Sequence, residues 1–241
     1  MTDAKDPLKR VRRFYAAVSV EPEAQGFAVR LDGRTPRTPG GAAMVLPTRA
    51  LAELIAGEWR AQGDAILYAA MPATRLCHTA LDVVSQTRAL SVEGAARFAS
   101  SDGLCYFADH PASLVHRQEK MWGPLLDWAR DACGLSFERA VGVIHREQPP
   151  QTLTRLYAIL ESLDPFTLAA VSVAASLFGS VILALALKDG RINADEAMAA
   201  ARLDEMFQEE RWGVDAEAAS KADAKAVEAV MLERWFAALS R

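Results

Sequence analysis

Cysteine is scarce in this chain of 241 residues: Cys77, Cys105 and Cys133, an odd number without metal-ligand spacing. That excludes a disulfide framework, and the three read as reduced, buried thiols in a reducing compartment. An excess of one charge sign is missing too. Lys and Arg number 27 against 31 Asp and Glu, a net charge of −4, which argues against a dedicated nucleic-acid binder. Glycine (14) and proline (11) are outnumbered by 46 alanines, so a helix-rich fold is expected. No repeat and no low-complexity linker interrupts the chain. What is present is ordinary for a folded protein: 51% apolar and 24% charged residues, and a length that suits one large domain or two modest ones.

The usual catalytic signatures are also missing. There is no G-x-x-x-x-G-K-[ST] loop and no G-x-G-x-x-G opening a helix after a strand. G-x-S-x-G and H-E-x-x-H are absent as well. Gly40-Gly41 lies in a turn with no following P-loop lysine. His78 adjoins Cys77, and helix neighbours point in different directions; His110 and His116 are six apart, not the four of a helical zinc pair. Nothing supplies a base or a lowered pKa for a cysteine nucleophile. The expectation is therefore no metal and no cofactor. The alternative is a small-molecule enzyme with a non-standard site in the helical domain, built from scattered polar residues around Arg75 and His78.

The first residues carry Asp3 and Asp6, and no apolar stretch follows Lys9, Arg10, Arg12 and Arg13, so no targeting segment is expected there. One long uncharged run stands out, the 22 residues from Phe166 to Leu187, enough to cross a bilayer. Its first half is rich in small residues, Gly179-Ser180 interrupts it, and no aromatic belt flanks it. The centre of a helical domain, bent or broken at Gly179, is the better reading, with no membrane insertion.

Phe27, Val29 and Leu31 alternate with Ala28 and Arg30 as in a half-buried strand, and Asp32-Gly33 follows as a hairpin signal. Phe14 to Val20 and Ala43 to Leu46 supply further strand candidates. Thr48 can cap a helix to about Gln62 with Leu51, Leu54, Ile55 and Trp59 on one face. Helical patterns then cover roughly 73–85, 88–101, 111–132, 151–161, 194–211 and 215–239. Sheet first and helices afterwards predicts an α+β class: a small β-rich N-terminal domain (1–75) and a larger all-helical C-terminal domain (76–241). Trp59, Trp122 and Trp128 are expected in the core.

Charge distribution adds one more feature. Asp195, Glu196, Asp204, Glu205, Glu209, Glu210, Asp215 and Glu217 face only Arg202 and Arg211 between 195 and 217. Asn193 and Glu196 have capping-box spacing. Beyond them Ala199, Leu203, Met206 and Phe207 can pack inward, while Asp204, Gln208 and Arg211 share another stripe. Trp212-Gly213 ends the helix, with the indole free to pin the turn against the core. The run is either a solvated helix face or an acidic docking surface for a basic partner. Residues 1–37 have the opposite balance, eight Lys or Arg (Lys5, Lys9, Arg10, Arg12, Arg13, Arg30, Arg34, Arg37) against five acids, without the aromatic interleaving that stacks nucleic acid.

Several strings, in order along nearly the whole chain, carry a resemblance. They begin with Phe14-Tyr15, Gly26-Phe27-Ala28-Val29-Arg30-Leu31-Asp32-Gly33-Arg34-Thr35-Pro36-Arg37-Thr38-Pro39, and Leu46-Pro47-Thr48. Leu51-Ala52, Glu58-Trp59, Gln62, and Met71-Pro72-Ala73-Thr74-Arg75-Leu76 follow. Next come Ser101-Asp102, Leu104-Cys105-Tyr106, Arg117-Gln118, Trp122, Pro124 and Trp128. Gly179-Ser180 and Leu203-Asp204-Glu205-Met206-Phe207-Gln208-Glu209-Glu210-Arg211-Trp212-Gly213, with Asp215 and Glu217, complete the series. Together they resemble the ATP12 family of F1-ATPase assembly chaperones.

The resemblance implies an ATP-independent chaperone that binds the free α subunit of F1-ATPase and prevents its aggregation before α pairs with β. It implies a β-rich N-terminal domain, a helical C-terminal domain and a buried uncharged stretch. It also implies a cytoplasmic place for a bacterial member, where eukaryotic relatives act in the mitochondrial matrix. Asp204 stands where some relatives carry Glu, which keeps the charge. Partner binding is expected at Asp204, Glu205, Gln208 and Glu210, with Trp212 and Gly213 shaping the surface. On the competing reading, Asp204 and Glu205 pair with arginines of the same chain and only hold the fold.

Overall fold

Strand pairing in the first sixty residues follows from where the chain can reverse. In the computed structural model, which describes residues 11–142, 144–213 and 216–240, β1 (Val11–Arg12) precedes a three-stranded antiparallel sheet. That sheet has the order β2 (Val18–Glu23), β3 (Gly26–Leu31) and β4 (Val45–Leu46). Lys5, Lys9, Arg10 and Asp215, counted above for charge, lie outside the described residues. The β2–β3 hairpin turns at Ala24-Gln25, with Val20 opposite Val29 and Glu23 opposite Gly26. Gly26 has φ +140°, and a Cβ there would stand 2.1 Å from the Leu46 carbonyl oxygen, so only glycine lets β4 close on β3. Asp32-Gly33 also forms a tight turn, both residues at positive φ, with Leu31 and Arg34 exchanging backbone hydrogen bonds.

The chain divides into two compact units, Met1–Asp82 with Ala238–Arg241, and Val83–Ala237. In the first, α1 (Arg49–Arg60) starts where the Thr48 hydroxyl accepts the Leu51 N–H, and buries Leu51, Ile55 and Trp59 as the periodicity predicts, while Leu54 is only half-buried. The buried Tyr15 hydroxyl donates to the Trp59 carbonyl at 2.7 Å. After β5 (Ala65–Ile66), paired with β1, comes α2 (Pro72–His78), which runs on as a wide turn over Thr79–Val84. Glu58 receives the N–H groups of Ala73 and Thr74 and the Thr74 hydroxyl, each at 2.7 Å, which seats the start of α2. Asp82 accepts from the Thr38 hydroxyl and the Gly40 N–H.

The second unit is mostly helical. It contains α3 (Arg88–Ala96), β6 (Tyr106–Phe107), α4 (Ala112–Cys133), β7 (Ala140–Val141), α5 (Pro150–Ser162), α6 (Pro165–Phe178), α7 (Val181–Lys188), α8 (Ala194–Ala201), α9 (Leu203–Trp212) and α10 (Ala216–Leu239), whose last residues belong to the first unit. β6 and β7 form a short parallel ladder within it. The uncharged run is the centre of this unit. Asp164 caps α6, Gly179 ends it in the left-handed conformation (φ +64°), and the Ser180 hydroxyl starts α7 by accepting the Leu183 N–H. Every residue of α7 from Val181 to Leu187 is buried. Among the described residues no helix is long and apolar enough to cross a membrane.

Asp102 explains why the break is placed there. Its fully buried carboxylate accepts the N–H groups of Leu104 (3.1 Å) and Ile182 (3.2 Å) and the Ser180 hydroxyl, so α7 begins on a fixed internal acceptor. Burial pushes Asp102 up to about 6, against the opposing pull of these hydrogen bonds.

A continuous helix over 194–211 does not form. Asn193 and Glu196 make the expected capping box, but α8 stops at Ala201 and α9 begins at Leu203. The Trp122 indole N–H donates to the Ala200 carbonyl at 2.9 Å, taking the oxygen that an unbroken helix would offer to the Asp204 N–H. Trp59 and Trp122 are buried as expected, while Trp128 is only half-buried.

Candidate partner-docking site

Helix α4 holds α9 through one buried polar relay. Gln118 is fully buried; its amide oxygen accepts the Ala108 N–H at 2.8 Å and its amide nitrogen donates to Asp204 Oδ1 at 2.7 Å. A buried amide with both ends satisfied fixes a register rather than merely filling space. Asp204 is half-buried, and burial raises its carboxyl above the ordinary range; Gln118 pulls it down and Glu205 adds to the rise.

Arginines consume most of the neighbouring acid. Arg202 reaches Glu205 at 3.0 Å and Glu209 at 2.7 Å. Arg117 reaches Glu210 at 2.7 Å, and that hydrogen bond holds the Glu210 carboxyl below its usual range. The Arg117 and Arg211 guanidinium groups also lie over the Phe207 ring, 5.2 and 4.2 Å from its centre. Glu205, Gln208, Glu210 and Trp212 are exposed, and Gly213 (φ +90°) closes α9 with its N–H on the Glu209 carbonyl.

Two expectations for α9 are overturned. The Trp212 indole does not pin the turn: it is 79% exposed, at the end of a helix whose inward residues are Leu203 and Phe207. Met206 does not pack inward either: it is 41% exposed, while Leu203 and Phe207 on the same helix are buried as the pattern predicts. Asp204 meets Gln118 rather than an arginine, and the stripe of Asp204, Gln208 and Arg211 runs from half-buried at Asp204 to open solvent. Neither charge nor periodicity marks Gln118 or Arg117 in the sequence, where the Arg117-Gln118 string is their one signal.

Beside the relay, α4, α8, α9 and the residues before α8 enclose an open groove of about 490 Å³. Met121, Leu125, Ile192, Ala199, Leu203 and Met206 line it, with charged groups at the margins. Of the described basic residues near the N-terminus, Arg13 donates to the Tyr15 and Gln62 carbonyls, and Arg30 pairs with Glu21 and Glu23. Among the described residues no group of His, Cys, Asp and Glu is arranged to hold a metal. Burial pushes the Cys77 thiol up to about 12 and raises Cys105 too, the reverse of what a nucleophile needs. On α2, His78 is half-buried and lowered by burial, and Arg75 is exposed.

The model of the ATP12 chaperone protein family matches residues 12–130, which end inside α4. The crystal structure of Atp12 from Paracoccus denitrificans is 41% identical, superposes with a TM-score of 0.90, and covers 96% of this chain and 99% of that one. The chain belongs to the ATP12 family. A second Paracoccus denitrificans Atp12p structure, of an aspartate-to-lysine mutant, is also 41% identical with a TM-score of 0.90, covering 96% of this chain and 98% of that one. The mitochondrial protein atp12 of Schizosaccharomyces pombe is 27% identical over 226 residues, 88% of this chain and 78% of that protein. The likeness thus extends beyond the stretch matched by the family model, over 96% of this chain.

Proposed function

We propose that this ATP12-family chain is an assembly chaperone for F1-ATPase that binds the free α subunit, without an ATP cycle, in the bacterial cytoplasm. Family membership is the observation that carries the reading. An unassembled α subunit exposes apolar surface that it would otherwise bury against β, and such surface drives aggregation. A chaperone with no nucleotide site covers that surface reversibly, with an affinity that yields to the larger αβ interface. Helix α9 offers what such contact needs. Trp212 and Met206 are exposed apolar groups, and Glu205, Gln208 and Glu210 are exposed polar ones on the same short helix. Asp204, tied to Gln118, acts as the positioning residue that holds this face, and Gly213 ends it.

Gentle affinity purification of the tagged chain from its own cells tests the reading. The expected result is F1 α as the dominant partner, recovered without β and unaffected by added nucleotide. Recovery of assembled αβ, or of no F1 subunit, contradicts it.

A further inference from the structure

The groove beside α9 is specific enough to say what kind of client segment enters it. Apart from Arg191 and Ile192 before α8, its walls are the helices α4, α8 and α9, whose backbone N–H and C=O groups pair mainly within each helix. An extended strand laid on this floor would bury its own backbone polar groups without partners. A helix brings its backbone already satisfied, so it is the segment that an apolar, helix-walled groove accepts. Two of the floor residues, Met121 and Met206, are flexible and adapt to an irregular apolar stripe.

The margins give the charge. Arg117 and Glu210 neutralise each other, and Glu196, which accepts the Asn193 N–H in the capping box, keeps its one negative charge against the two cations Lys120 and Arg191. Lys120 and Arg191 also line the groove, both exposed and neither in an ion pair among the described residues. The charge left over at the groove is therefore positive, although the surrounding sequence is acidic. We propose that the groove takes an amphipathic helix of the client, apolar along its buried stripe and acidic along the edge that meets Lys120 and Arg191. This inference rests on the chaperone reading, whose client it describes.

Two fluorescent synthetic peptides of about 18 residues, roughly five helical turns, test it. Both carry leucines at helical spacing; one has glutamates flanking the stripe and the other lysines. Titrated with the full chain, the glutamate peptide is expected to bind about tenfold tighter. Lys120→Glu combined with Arg191→Glu, both at exposed positions, should invert that order. Met206→Glu should weaken both peptides by about tenfold with the melting temperature unchanged. Equal binding of the two peptides, binding of neither, or indifference to Met206→Glu overturns the proposal. Capture of free F1 α by the unaltered chain is measured alongside. If α is captured while the peptides fail, the groove inference falls and the chaperone reading stands. If the peptides are discriminated but α is not captured, the groove binds such helices and the α-subunit reading falls.

Discussion

Asp204 and Trp212 sit on the same short helix but do different work. Asp204 is half-buried and joined to a fully buried Gln118, so its removal strands an amide group in the interior. Asp204→Ala should therefore lower stability by about 1–3 kcal/mol, with α capture falling in parallel as α9 loses its register. Trp212 is exposed, and Trp212→Ala should change stability by less than about 0.5 kcal/mol. Its effect is expected in binding, a loss of about tenfold or more in affinity for α. Thermal melting and α titration on the two variants separate positioning from contact. A Trp212→Ala chain that binds α normally removes the indole from the docking face. The sequence shows the acidic run but not which acids are already spent. Arg117 lies 93 residues from Glu210 and Gln118 lies 86 from Asp204, and only the fold brings them together.

At the scale of elements, the ends of helices were harder to foresee than their existence. Thr48, Asp164 and Asn193 cap their helices as their residue types suggest, because a cap is a local hydrogen bond. The break between α8 and α9 is not local. Apolar periodicity continues through Arg202, and at the interruption the Ala200 carbonyl accepts the indole N–H of a tryptophan 78 residues upstream. Leu203 and Phe207 still face inward beyond the break, and Met206 beside them is exposed. The start of α7 depends likewise on Asp102, 80 residues before Ile182.

Asp102 carries a pH signature. Its folded value is pushed up from 3.8 to about 6, so the folded chain keeps this proton where the unfolded chain has lost it. The stability from that difference is complete below about pH 4 and disappears as pH rises through about 6. Melting of the native chain relative to Asp102→Asn should accordingly decline between about pH 4 and about pH 7, by an amount on the order of 3 kcal/mol in stability. A pH-independent difference between the two contradicts this account of the α7 start.

Across the whole molecule, class and order of elements were legible: a β-rich beginning, a mostly helical remainder and an apolar run in its centre. These follow from composition and period, which act along the entire chain. The groove was not legible, since its walls come from α4, from the residues before α8 and from α8 and α9, and its basic margin is a remainder after pairing. On the proposed reading the chain covers a client rather than transforming it, and it then needs a face that binds well enough to protect yet yields to β. The most direct measurement is light scattering from free F1 α diluted out of denaturant with this chain present and nucleotide absent. Suppression of scattering at about one chain per α, followed by transfer of α into αβ when β is added, is the predicted result. Scattering unchanged by an excess of the chain, or suppressed only with ATP, contradicts the account.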